Sequence, residues 1–86
     1  ESLVAKQQIK VMPNPMESQA IFEFDNPHEE LFHFSLYNQK GQKVRTQLNL
    51  MGNQFLLEKD NLPAGFYFFT FSNKQQVVYS GKLMVQ

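Results

Sequence analysis

The chain has 86 residues, 42% hydrophobic and 14% aromatic, with eight Lys plus Arg against eight Asp plus Glu. That length carries one domain with a thin margin of stability, and the composition lies far from that of disordered chains. A formal charge of zero gives no long-range field to gather nucleic acid or anionic lipid, and the lack of cysteine excludes disulfides, thiolate metal sites and thiol nucleophiles.

Residues 1–7 are mixed and aperiodic and read as a linker or frayed end, with the domain proper over residues 8–86. Starting at Glu1 without a signal-type segment, the chain reads as part of a longer precursor, and no apolar run nears the roughly 20 residues of a membrane helix. Residues 9–12 alternate briefly as a first strand. They stop at Pro13-Asn14-Pro15, where two prolines remove backbone donors and bias their predecessors to extended geometry. Residues 18–24 alternate again, with Ala20, Phe22 and Phe24 inward and Ile21 and Glu23 opposite. Asp25 to Glu30 is a polar loop, and residues 17–30 hold five acidic side chains and no Lys or Arg.

Residues 31–37 form the cleanest period-two segment, Phe32, Phe34 and Leu36 against His33, Ser35 and Tyr37. Asn38-Gln39-Lys40-Gly41-Gln42 has hairpin length, with Gly41 where a type I turn needs a left-handed residue. A polar-rich strand returns over residues 43–50 with Val44, Leu48 and Leu50. Gly52-Asn53 then offers a two-residue turn with glycine first, and residues 54–59 give another short strand. In Leu62-Pro63-Ala64-Gly65, Pro63 suits the second position of a type I turn and Gly65 its exit, so the chain is expected to reverse there.

After that turn come five aromatic residues in six positions, Phe66 to Phe71. Tyr67, Phe69 and Phe71 fall on one face and Phe66, Phe68 and Thr70 on the other, as in a central strand covered wholly on one side and partly on the other. Residues 72–75 close a last hairpin, and residues 76–86 run back as the final strand. Gly81 interrupts it as a bulge or where another backbone comes close. Six or seven strands with regular turn signals and no helical period argue for an antiparallel β-sandwich, with a small closed barrel as the competitor.

Acid/base catalysis needs paired groups held in a pocket, and the carboxylates here sit in loops or on solvent-facing strand positions. Glu29 and Glu30 read as a solvated loop pair. His28 and His33 have no third ligand at zinc spacing, Ser35 and Ser80 lack a nucleophile-elbow context, and there is no glycine-rich phosphate loop. No catalysis, metal or cofactor is expected. The aromatic set could stack on sugars or bases, but neutral charge and alternation favour its burial.

Four blocks carry a resemblance: residues 9–15 around Pro13-Asn14-Pro15, residues 34–44 around the Gly41 hairpin, residues 62–69, and residues 80–86. In that order and spacing they resemble the type A C-terminal sorting domains of the bacterial type IX secretion system. The resemblance implies an immunoglobulin-like sandwich of about seven strands that acts as an address for an upstream cargo. It further implies engagement in the periplasm by the secretion machinery, shuttle proteins and outer-membrane channel included, and transfer to the cell surface or the medium without insertion of the domain into the membrane. Removal by a sortase-like surface peptidase near residues 1–7 would follow. By the same resemblance the sorting residues are Pro13, Asn14 and Pro15, then Gly41, then Leu62, Gly65 and Tyr67, and finally Gly81, Lys82, Leu83, Val85 and Gln86. Family members often finish with a basic residue, where this chain has Gln86. The alternative is a β-sandwich adhesion or carbohydrate-binding module presenting aromatics such as Tyr37 and Tyr79.

Overall fold

A computed structural model describes residues 9–86; the expected linker over residues 1–7 lies outside them. Seven strands follow in chain order: β1 Ile9–Met12, β2 Gln19–Phe24, β3 Phe32–Tyr37, β4 Lys43–Leu50, β5 Gln54–Glu58, β6 Gly65–Ser72 and β7 Val77–Val85. The described residues contain no helix. They form two antiparallel sheets, β1-β2-β5 and β4-β3-β6-β7, which resolves the choice between sandwich and barrel. With β1 as strand A, this is the A-B-E and C′-C-F-G arrangement of an immunoglobulin-like sandwich. Tyr67, at the start of β6, adds the corner typical of such folds, its hydroxyl donating to the Pro63 carbonyl 2.6 Å away.

The alternation in the sequence decides what is buried. Ala20, Phe22 and Phe24 from β2 face Phe32, Phe34 and Leu36 from β3 and Tyr67, Phe69 and Phe71 from β6, all buried. Phe22 is the hub, with ring centroids 5.4 Å from Phe34, 4.9 Å from Phe69 and 5.6 Å from Phe71 in edge-to-face geometry. Each fully buried ring contributes about 1.5–3 kcal/mol by area, and edge-to-face pairs add to that. The core therefore joins the two sheets through aromatic contacts. As expected, β6 is central, with its second face, carrying Phe66 and Phe68, half open to solvent.

Three local expectations are corrected. Gly52-Asn53 does not close a hairpin: β4 and β5 lie in different sheets, so this glycine, at φ 85°, turns the chain across the sandwich. The hydrogen-bonded reversal before β6 is not at Pro63 either. It runs over residues 59–62, where the Leu62 amide donates to the Lys59 carbonyl and Asp60 takes a positive φ of 48°. The chain bends again at Ala64 between the sheets, and Gly65 begins β6 at φ 148°, a value that favours glycine. Finally, Gly81 is neither a bulge nor a close backbone approach. It pairs with Phe69, and the Phe69 ring occupies the space a side chain would need. The ladder irregularity falls earlier, between Phe71 and Ser72.

Candidate functional site

Blocks scattered from residue 13 to residue 86 meet at one end of the sandwich. The ladders require it: β6 starts opposite the end of β7 (Gly65 with Val85), and β3 ends opposite Phe68 and Lys43. The same end receives the segment between β1 and β2. Its residues 13–15 are exposed, Met16 is fully buried, and Pro13 and Pro15 each follow a cis peptide bond.

At the outer edge of β7 this segment acts as a clasp. The Met84 amide donates to Asn14 Oδ1 at 3.0 Å, and Asn14 Nδ2 donates to the Lys82 carbonyl at 3.3 Å. The side-chain amide thus offers β7 one acceptor and one donor, as a neighbouring strand would. One step further on, the Met16 amide donates to the Met84 carbonyl at 2.8 Å and the Gln86 amide to the Met16 carbonyl at 2.9 Å, a parallel bridge between Met16 and Val85. Lys59 Nζ donates to the Gln86 carbonyl at 2.6 Å, while the Lys59 amide donates to the Ser18 carbonyl at 2.8 Å. So β7 is an edge strand whose last residues are already engaged on their outer side.

Next to the clasp, the β3–β4 hairpin and the Pro63 corner bound a cleft of about 570 Å³ whose walls include Lys40, Arg45, Leu62, Pro63 and Phe66. Asn38 shapes the hairpin: its Oδ1 accepts from the Lys40 and Gln42 amides at 2.9 and 3.0 Å, and Gly41 takes φ 81°. Arg45 Nη2 donates to Asn61 Oδ1 at 2.9 Å and ties the two walls together. Lys40, Lys43, Arg45, Lys59 and Lys82 all belong to this end. Glu17, Glu58 and Asp60 share it, while Asp25, Glu29 and Glu30 belong to the opposite loops together with Lys74.

The twelve residues expected to matter divide by burial. Leu62, Tyr67, Leu83 and Val85 are core residues that hold the frame. Gly41, Gly65 and Gly81 set backbone or packing geometry. Pro13, Asn14, Pro15, Lys82 and Gln86 are exposed. Met16, Lys59 and Met84 were not foreseen. Met16 directly follows the first block, which could have flagged it, whereas nothing local marks Lys59. Tyr79 is buried between Phe24 and Phe32, with its hydroxyl donating to the Asp25 carbonyl, so it presents no stacking face.

Comparison with known families gives a match over residues 10–86 to the model described as the secretion system C-terminal sorting domain. No curated protein matches the chain.

Proposed function

The chain belongs to the family of secretion system C-terminal sorting domains, and we propose that the end of the sandwich where its four sequence blocks meet is the surface read during sorting. The domain is a sorting signal for type IX secretion, a family of addresses rather than catalysts, and it directs an upstream cargo to the cell surface or the medium. On this reading the folded domain is engaged in the periplasm by shuttle proteins and the outer-membrane channel. A sortase-like peptidase at the surface then cuts near residues 1–7. Pro13, Asn14, Pro15, Lys82 and Gln86 contact the machinery, while Gly41, Leu62, Gly65, Tyr67, Gly81, Leu83 and Val85 keep that end in shape.

The observation that supports this reading most directly is the bond from the Met84 amide to Asn14 Oδ1, which joins the first and last blocks across 70 positions of sequence. Because the clasp already engages the outer main-chain groups of Lys82, Met84 and Gln86, a partner here reads exposed side chains, those of Pro13, Asn14, Pro15, Lys82 and Gln86. Fusing the chain behind an inert reporter with a periplasmic leader, in a cell with type IX secretion, tests it. The reporter should reach the medium or the surface, and Lys82→Ala or Asn14→Ala should hold it in the periplasm with the domain still folded. Export unchanged by both substitutions would refute the assignment of the site.

A further inference from the structure

The outer face of the four-stranded sheet divides into two unlike halves. Away from the clasp its centre is polar, with Ser35, Thr46, Thr70 and Ser80 in adjoining register and two separate exposed apolar residues, Leu48 and Val77, beyond them. Towards the clasp it carries Tyr37, Phe66, Phe68 and Met84, with Phe66 and Phe68 still 43% and 46% exposed. Single exposed apolar residues are ordinary; a contiguous group confined to half of one face is not.

One row of that half runs in register across all four strands: Lys43 opposite Tyr37, Tyr37 opposite Phe68, Phe68 opposite Lys82. Three inter-strand steps set the Cα atoms of the two lysines about 14 Å apart. Each ammonium leans over a ring, Lys43 Nζ 5.9 Å from the Tyr37 centroid and Lys82 Nζ 5.6 Å from that of Phe66. Strands β3, β4, β6 and β7 contain no Asp or Glu, whereas the other sheet contains Glu23 and Glu58. The two lysines therefore have no carboxylate partner on their own sheet.

We infer that this half-face docks a protein of the secretion machinery, through a surface that sets apolar side chains between two carboxylates, one for each ammonium. The inference rests on the sorting role and adds the surface and its complement. An aromatic and Met centre with charge at its rim is the make-up of protein–protein interfaces. The acid-free sheet makes the complementary charge negative. A chain of zero net charge gains little from a polyanion at long range, which favours a shaped acidic protein surface over an acidic polymer.

Site-specific photo-cross-linking tests it in the full protein that carries this domain, expressed in a cell with type IX secretion. A benzophenone amino acid at position 68 should yield a protein adduct whose attached peptide comes from a component of the machinery and contains Asp or Glu. Lys43→Glu with Lys82→Glu should lower that adduct at least tenfold and hold the cargo in the periplasm. The same probe at position 56, on the outer face of the other sheet, should give none. An adduct indifferent to both lysines, an adduct to glycan or lipid, or export unaffected by the double charge reversal overturns the assignment of this face while leaving the sorting role intact. Failure of the unsubstituted protein to be exported overturns the sorting role itself.

Discussion

The ring of Phe69 lies over Gly81 so closely that a Cβ built on the glycine would stand 2.7 Å from the ring's Cζ. The two residues are cross-strand partners, and Phe69 cannot swing aside because it is buried against Phe22. Gly81→Ala should therefore destabilise the domain by about 1–3 kcal/mol, although alanine is the better strand residue elsewhere. Denaturant unfolding would show it as a lower midpoint at unchanged slope. Combining it with Phe69→Leu should cost less than the sum of the two single changes, because the smaller side chain vacates the contested space.

Asn14 makes two bonds to the edge of β7 that differ in polarity, so two substitutions separate them. Asn14→Ala removes both and should raise the exchange rate of the Met84 amide about fivefold, corresponding to about 1 kcal/mol. Asn14→Asp keeps an acceptor for the Met84 amide and loses only the donor to the Lys82 carbonyl, so protection of the Met84 amide should persist. Amide exchange followed by NMR distinguishes the two. Equal loss of protection in both variants would mean that Asn14 orders the segment by some route other than these bonds.

The Tyr67 hydroxyl satisfies the Pro63 carbonyl at the corner that carries the chain from β5 to β6. Tyr67→Phe keeps the buried ring opposite Leu83 and removes only that bond. A loss of about 1–2 kcal/mol is expected, since the carbonyl is left partly buried without its donor. An unchanged unfolding midpoint would show that water replaces the hydroxyl at no cost.

The alternating strands were readable from sequence because burial on a pleated sheet leaves a period of two. Ala20, Phe22 and Phe24, and likewise Phe32, Phe34 and Leu36, stand on the faces the pattern assigns them. Turn chemistry was less secure as a guide to connection. The glycine at position 52 marks a bend, but a local signal does not say whether the next strand pairs in the same sheet or crosses to the other. Pro63 and Gly65 drew the expected reversal three residues too far, while Asp60-Asn61, a pair that tolerates left-handed backbone, made the actual one. The clasp was out of reach altogether, since Asn14 and Met84 are separated by most of the chain and only the sheet order brings them together.

Tyr79 ties stability to alkaline pH. Burial pushes its hydroxyl above the ordinary value of 10.0, and the nearby Asp25 charge adds to the rise. The unfolded chain releases this proton near pH 10 while the folded one still holds it, so stability is constant below that pH and falls as pH rises through the elevated folded value. Tyr79→Phe loses the hydroxyl bond and should be less stable at neutral pH. The gap between the two proteins should narrow above pH 10, measured by denaturant unfolding across that range. Parallel curves would mean that the hydroxyl titrates alike in both states.

Phe22 tests whether the two sheets are held together through a single aromatic hub. Its ring meets Phe34, Phe69 and Phe71 of the opposite sheet edge-to-face, and lies 6.0 Å from that of Phe55 on its own sheet. Phe22→Ala deletes all of these contacts and leaves a cavity that strands tied by their ladders cannot close, a loss of about 3–5 kcal/mol. A domain of this size has a total stability of only about 4–13 kcal/mol, so the thermal midpoint of the variant should fall by at least about 10 °C. Phe22→Leu keeps most of the volume and should fold, with a lower midpoint and the clasp intact. The contrast is measurable by thermal unfolding together with the near-ultraviolet signal of the buried tyrosines. If alanine at this position left the midpoint within a few degrees of the original, cohesion between the sheets would have to come from the rim of the core, from Met16, Leu62 and Val85, and not from its centre.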